Sequence, residues 1–239
     1  MRPDILEKAA DLKSIMFPVF TNGILLDESY VKFFDQNRNL VPVISLEGEK
    51  NATDLRRGEG VYQKVSAAMQ LLKKKRILFG VSITFTKENI LDITHLSFAK
   101  DLYKKGAGIL FYVEYVPSDA ISDALAPDNE AREVFESRLD ILKHKTRLLL
   151  ISFPGDEDFT EGCLAAGRGF VHINHTGALE PCPFSPYSDI SVADVSLKEA
   201  LDSRFLKKVR EDGMLKGEHK GGCLLWERRE YVERLLASE

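Results

Sequence analysis

The sequence has few cysteines, no long apolar run and little net charge. Its 239 residues contain three cysteines, Cys163, Cys182 and Cys223, all in the last third of the chain. Cysteines this sparse do not make a disulfide framework, and they favour a reducing environment. No apolar stretch approaches the roughly 20 residues of a membrane-spanning helix, and the N-terminus has no signal-peptide pattern. These absences predict a cytoplasmic protein with no membrane partner.

An excess of charge of either sign is also lacking. The net charge is −4 at pH 7 and the pI is near 5.8, so there is no overall attraction to nucleic acid or to anionic membranes. The basic run at 73–76 falls at the end of a predicted helix, where cations complement the helix macrodipole. We therefore predict no nucleic-acid partner.

What the sequence does have is a regular alternation of apolar runs and amphipathic segments. The apolar runs predict strands at 15–20, 40–46, 77–84, 108–116 and 146–153. The amphipathic segments predict helices at 27–37, 61–75, 93–105 and 129–144, after an opening helix near the N-terminus. This alternation predicts an α/β fold with a parallel sheet, which is either doubly wound or a section of a barrel.

The pattern changes after Pro154, where short strands, turns and the three cysteines follow. Two closing helices are predicted at about 196–212 and 225–237. We therefore predict two domains, an α/β domain over 1–154 and a small cysteine-bearing domain over 155–239.

The carboxyl ends of the predicted strands carry polar or glycine-containing segments. They read TNG at 21–23, SLEG at 45–48, TFTKEN at 84–89 and EYVPS at 114–118. Ligands bind at this end of the strands in parallel α/β folds. These segments are therefore predicted to form a ligand-binding rim.

Ser45 and Glu47 are the strongest candidates on this rim, because residues two apart at the end of a strand point to the same side. A hydroxyl and a carboxylate suit a ligand with a diol and an amine, and Arg57 suits a ligand carboxylate. Each has a structural alternative: Ser45 caps a loop, and Glu47 is solvated. For Arg57 the alternative is an anchor to Asp54.

Other polar residues of the rim are more ambiguous. Thr21 and Asn22 suit turn formation through side-chain to backbone bonds better than ligand binding. Asn89 suits either the lead into a helix or a ligand contact. Glu114 is a charge in an otherwise apolar strand, which requires a partner or a functional role, unless it faces an open edge of the barrel.

The cysteines form the pattern C-x13-G-x4-C over 163–182, followed by Cys223. Three thiolates suit an iron–sulfur cluster that leaves one iron without a cysteine ligand. One alternative is zinc, since His172 and His175 lie nearby in the sequence, although these two are expected on opposite faces of a strand. The other alternative is three unrelated buried thiols. We predict a [4Fe–4S] cluster held by the three cysteines.

The order of these segments resembles the radical S-adenosylmethionine (radical SAM) enzymes, from their third barrel strand onward. TNG is similar to the family's third-strand signature, and SLEG followed by Asp54, Arg56, Arg57 and Gly58 is similar to its fourth-strand stretch. VSITFTKEN resembles its fifth strand. The cysteine pattern resembles the auxiliary-cluster extension called SPASM or twitch, in its three-cysteine form.

This resemblance implies a partial (β/α) barrel that lacks its first two βα units, plus a C-terminal auxiliary-cluster region. It implies S-adenosylmethionine as a cofactor. The residues implied to bind it are Ser45, Glu47, Arg57, Thr21 and Asn89. The family's C-x3-C-x2-C loop and Gly-Gly-Glu motif are absent from this sequence. Residues 1–4 resemble the point just after Gly-Gly-Glu, so we expect the missing units to precede them. Without those units the SAM-cleaving cluster has no cysteine ligands.

Two functions follow from the resemblance. In the first, the chain takes part in SAM-dependent radical modification of a peptide or small metabolite, with an auxiliary [4Fe–4S] cluster. In the second, it is a non-catalytic iron–sulfur or zinc-binding module. A barrel section also has an open edge, which predicts self-association or a partner that covers it.

Overall fold

The structure is a computed structural model that describes residues 3–117, 122–153, 161–216 and 223–238. Its contacts divide the chain into two compact units, Met1–Phe153 and Pro154–Glu239. In the part of the chain that is described, no helix is long and apolar enough to span a membrane.

The first unit alternates strands and helices. Its strands, within the described residues, are β1 Phe17–Thr21, β2 Leu40–Leu46, β3 Gly80–Phe85, β4 Ile109–Glu114 and β5 Leu149–Phe153. Its helices are α1 Pro3–Asp11, α2 Glu28–Gln36, α3 Lys50–Arg57, α4 Val61–Lys74, α5 Ile90–Ile93, α6 Leu96–Lys105 and α7 Asn129–Lys145, with a 3-10 turn at Ser122–Leu125. The predicted strands and the long helices therefore form, with ends shifted by a few residues.

All five strands are parallel and lie in the order β1-β2-β3-β4-β5. A doubly wound sheet reverses its strand order at a switch point, and this sheet does not. Consecutive order with helical crossovers is the winding of a (β/α) barrel. Of the two arrangements that the sequence allowed, the structure has the barrel section.

One face of this sheet packs against the helices. Alternate residues of the strands, such as Ile44, Ile83 and Tyr112, are fully buried there. Phe135 of α7 stacks on Phe85 of β3, with ring centroids 4.0 Å apart. The continuous apolar runs that predicted the strands therefore supply the main core.

The opposite face of the sheet carries the other set of alternating side chains, among them Phe20, Ser45, Ser82, Phe111 and Phe153. Phe111 has its ring centroid 5.4 Å from that of Phe20 and 6.3 Å from that of Phe153. Phe20 is 55% exposed and Phe153 is 47% exposed. This face therefore presents an aromatic row beside two serine hydroxyls.

Helix α3 lies between the predicted strand at 40–46 and the predicted helix at 61–75, where the sequence predicted no helix. Thr53 is the one buried residue of this helix, and a helix with almost no apolar face has no hydrophobic periodicity to detect. The helix ends at Gly58, whose φ of 107° suits the freedom of glycine.

The second unit is built from short elements. In the described residues they are β6 His172–Ile173, β7 Leu179–Glu180, α8 Leu197–Leu201, α9 Arg204–Glu211, α10 Leu224–Glu227 and α11 Arg229–Ala237. Strands β6 and β7 pair antiparallel. Each predicted closing helix is divided into two helices. Ser203 caps α9 by accepting a bond from Leu206 N at 3.2 Å.

Candidate functional site

Two hydroxyls lie side by side near the carboxyl ends of the central strands. Ser45 of β2 is the register partner of Ser82 of β3, and both side chains are half-buried on the opposite face defined above. Thr84, two residues after Ser82, lies on the same face. The sequence named Ser45 but missed Ser82, although the alternation in VSITF would have placed it on the same face.

Glu47, just beyond β2, lies in a buried ion-pair cluster. Its Oε1 accepts from Arg57 Nε at 2.8 Å and from Arg57 Nη2 at 2.5 Å, and its Oε2 accepts from Arg56 Nη1 at 2.5 Å. Glu47 is 4% exposed, whereas the side chains of Arg56 and Arg57 are 49% and 26% exposed. Two guanidinium groups thus meet one carboxylate, which leaves an excess positive charge at this end of the strand.

Neighbouring bonds fix this cluster to the loop. Thr53 Oγ1 accepts from Glu47 N at 3.2 Å and donates to Gly48 O at 3.1 Å. Asp54 Oδ1 accepts from Tyr62 N at 2.8 Å. Arg57 therefore pairs with Glu47 instead of anchoring to Asp54, and Glu47 is buried instead of solvated.

Thr21 and Asn22 form the turn after β1. Thr21 Oγ1 accepts from Gly23 N and Asn22 Oδ1 accepts from Ile24 N, both at 3.2 Å. These bonds have the side-chain to backbone pattern that the sequence favoured for the pair. Any contact of Thr21 with a cofactor stays a prediction.

Asn89 closes the loop after β3. Its Oδ1 accepts from Thr86 N at 2.8 Å, and its Nδ2 donates to Thr84 O at 3.0 Å. It stands immediately before α5 but makes no side-chain cap bond to that helix. Its amide therefore shapes the strand end, and its contact with a cofactor also stays a prediction.

Glu114 has the partner that a buried carboxylate requires. Arg132 of α7 donates to Glu114 Oε1 from Nε at 3.0 Å and from Nη2 at 2.8 Å. Glu114 is 3% exposed and Arg132 is 19% exposed. The carboxylate lies on the helix-covered face, as its strand parity with Tyr112 requires, so the structure gives it a structural role.

The three cysteines of the second unit influence one another. A hydrogen bond with Cys223 raises the pKa of Cys182 far above its ordinary value, and burial and the nearby Cys163 raise it further. The same bond lowers the pKa of Cys223, which also accepts bonds from the N–H groups of Trp226 and Leu225. The bond joins two cysteines that lie far apart in sequence, and Cys163 packs against the same apolar cluster.

The surroundings of Cys182 are apolar and hold its backbone in place. It is 5% exposed, within the apolar core of the second unit. Its Sγ accepts a bond from Phe184 N at 3.3 Å. Pro181 and Pro183 flank it and restrict the backbone on both sides.

The three cysteines offer an all-sulfur donor set. Among the described residues, no group of three or more His, Cys, Asp or Glu side chains is placed to hold one metal ion. A [4Fe–4S] cluster takes each thiolate at a different iron, so its sulfur ligands do not converge on one point. All-thiolate ligation is also typical of such clusters.

His172, one of the two histidines named for a zinc site, is oriented by a carboxylate. His172 Nδ1 lies 2.8 Å from Glu180 Oε2, and Glu180 Oε1 accepts from Asn174 Nδ2 at 2.6 Å. Glu180 is 5% exposed. This carboxylate orients the imidazole, so His172 is held by the β6–β7 hairpin.

Comparisons with known proteins place this geometry in context. No protein-family model matches the chain. The chain is similar to the AdoMet-dependent heme synthase of Methanosarcina barkeri, with 24% identity over 267 residues that cover 97% of this chain and 75% of the relative.

Two solved structures share the fold. Streptococcus suis SuiB bound to precursor peptide SuiA matches with a TM-score of 0.66 and 16% identity, over 96% of this chain and 58% of that one. The structure of anSMEcpe with bound AdoMet and Kp18Cys peptide matches with a TM-score of 0.61 and 20% identity, over 84% of this chain and 63% of that one. The chain thus spans about three fifths of the length of these solved chains, and the predicted α/β fold is confirmed.

Proposed function

Because its homologues are radical SAM enzymes, as the sequence resemblance predicted, we propose that this chain takes part in SAM-dependent radical modification of a substrate. The second unit contributes an auxiliary [4Fe–4S] cluster held by Cys163, Cys182 and Cys223. The observation that carries the proposal is the bond between Cys182 and Cys223, with Cys163 packed against the same apolar cluster, in a chain whose first unit is a section of a (β/α) barrel.

The first unit contributes the residues that bind S-adenosylmethionine. The adjacent hydroxyls of Ser45 and Ser82 suit the ribose diol. The guanidinium of Arg57, held in place by Glu47 and still 26% exposed, suits the methionine carboxylate. Thr21 and Asn89 shape the strand ends on which these groups stand and complete the proposed set.

In the second unit, main-chain N–H groups donate to two of the three cysteines. Phe184 N donates to Cys182 Sγ, and Leu225 and Trp226 lower the pKa of Cys223, which favours the charged form that binds metal. The cluster, when bound, supplies an electron-transfer group or an iron open to substrate.

The proposed substrate class is a peptide or a small metabolite, and two observations favour a peptide. The matched structures of anSMEcpe and SuiB each contain a peptide. The exposed aromatic side chains on the opposite face of the sheet also suit a ligand with apolar side chains.

Edge strand β1 is the proposed place for a partner or a second copy of the chain. Its surroundings expose large apolar side chains, including Met16 at 64%, Phe20 at 55% and Leu25 at 56%. Unpaired edge strands with apolar surroundings favour association. We therefore propose self-association or a covering partner at this edge.

Anaerobic reconstitution tests the cluster. We expect about four irons and four sulfides per chain, with loss of most of both in Cys182→Ala. The control Ser14→Ala changes an exposed residue of the first unit and should keep wild-type iron. Absence of iron in the wild-type chain would refute the cluster.

The alternative function is a non-catalytic iron–sulfur or zinc module. Equilibrium dialysis with S-adenosylmethionine separates the two. Binding that weakens in Ser45→Ala but not in Ser14→Ala supports the first function. Iron without any S-adenosylmethionine binding supports the iron–sulfur module, and zinc in place of iron supports the zinc module.

A further inference from the structure

The segment around Cys163 has an unusual backbone. Among the described residues, the non-glycine positions with positive φ are Arg76, Glu161 and Ala166, with φ of 52°, 54° and 56°. Two of these three lie within three residues of Cys163. Such conformations are costly for residues with a Cβ and persist only where the surroundings hold them in place.

Gly162 shows what the segment is held against. Its φ is 106°, and a Cβ added to it would lie 2.0 Å from Leu215 O. The next residue donates a main-chain bond to the same oxygen, from Cys163 N at 2.9 Å. The backbone before Cys163 therefore lies directly on the backbone at Leu215, at a distance that only glycine allows.

Arg168 joins these two strips of backbone. Its Nη1 donates to Cys163 O at 2.6 Å and to Leu215 O at 3.2 Å, and its Nη2 donates to Glu161 O at 3.2 Å. One planar guanidinium thus bridges three carbonyl groups. A lysine cannot reproduce this fork, because its single ammonium nitrogen lacks the planar spread of N–H donors that reaches all three carbonyl oxygens.

We propose that Arg168 is a positioning residue that holds Cys163 in place for metal binding before the metal arrives. Its bonds fix Cys163 to the chain at Leu215, eight positions before the third cysteine in the sequence. A ligand that is already held loses less conformational freedom when it binds. That the bound group is an iron–sulfur cluster rests on the function proposed above, whereas the positioning of Cys163 does not.

Hydrogen exchange of the metal-free full chain tests the positioning directly. In Arg168→Met we expect the amide of Cys163 to exchange at least tenfold faster, while the amide of Phe184 beside Cys182 keeps its rate. Arg168→Lys should accelerate the Cys163 amide less. The matched control Arg204→Met removes an exposed arginine of α9 and should change neither amide.

A second measurement follows iron after reconstitution. Release to a chelator should be at least tenfold faster from Arg168→Met than from wild type or Arg204→Met. Fluorescence of Trp226, the one tryptophan of the chain, verifies that the second unit of each variant is folded. If Arg168→Met unfolds it, Arg168→Lys carries both measurements.

The outcomes separate the two proposals. An unchanged Cys163 amide in a folded Arg168→Met variant would overturn the positioning role, whatever the iron content. Accelerated exchange together with unchanged iron release would overturn its link to metal binding. If the wild-type chain takes up no iron, the proposed cluster fails, and the exchange rates alone decide whether Arg168 positions Cys163.

Discussion

The ion-pair cluster at Glu47 makes a prediction about which partner is costly to remove. The carboxylate is 4% exposed, but its partners Arg56 and Arg57 are 49% and 26% exposed. Removing the carboxylate leaves two cations that can be solvated. Removing both cations leaves a buried anion with no cationic partner in the cluster. The variants to compare are Glu47→Gln, Arg56→Met, Arg57→Met and the double arginine variant.

The magnitudes follow from this asymmetry in exposure. Arg56→Met should cost below about 1 kcal/mol, because the pair is half exposed and Arg57 remains. Glu47→Gln should cost about 1–3 kcal/mol, the range for charge-assisted hydrogen bonds. The double arginine variant should cost about 3–5 kcal/mol, because it isolates a buried charge. Its cost should exceed the sum of the two single costs, since either arginine alone still compensates Glu47.

Urea unfolding followed by far-UV circular dichroism measures these costs. Trp226 lies in the second unit, so its fluorescence follows the unfolding of that unit separately from the circular dichroism signal. If the double variant costs only the sum of the single variants, the arginines do not share the compensation of Glu47. If Glu47→Gln costs as much as the double variant, the argument from exposure is refuted.

Three further predictions concern other parts of the chain. Gly162→Ala should destabilise the second unit and lower its iron content. Gly213 has a φ of 86° and open space around it, so Gly213→Ala should cost only about 1 kcal/mol of backbone strain. Equal effects of the two substitutions in thermal unfolding would contradict the close contact at Gly162. Phe135→Ala should destabilise the first unit by about 3–5 kcal/mol in urea, and a cost below 1 kcal/mol would argue against the stacked core. The bond from Lys87 lowers the pKa of Asp128. The ionised Asp128 therefore stabilises the folded state above about pH 4, and this stabilisation fades as the pH falls through the lower folded-state pKa. The stability difference between wild type and Asp128→Asn should therefore shrink below about pH 4, and a difference that grows there would reverse the sign.

The sequence predicted the sheet well because its strands are continuous apolar runs. A buried strand such as Leu40–Leu46 can be predicted from its own apolar residues, without knowing which strands it pairs with. Helix α3 was missed for the opposite reason, since only Thr53 of that helix is buried. Burial leaves a record in composition, whereas a polar helix held by its ends does not.

The candidate site was predictable only in part. The spacing of the cysteines and the position of Ser45 are visible in the sequence. The pairing of Arg57 with Glu47 is not, since the carboxylate of a ligand and that of Glu47 are equally suitable partners. Arg168 left no signal at all, because its partners are main-chain carbonyl groups, which every residue possesses.

The strand order of the first unit has a consequence for how it is made. Each strand pairs only with the strands that precede and follow it in the chain, and the most distant join runs from Ile109 to Leu149. Pairing between consecutive strands closes smaller loops than pairing between distant strands would, which lowers its entropy cost. Each βα segment can therefore dock on the previous one as it leaves the ribosome, so that the growing sheet is its own template during synthesis.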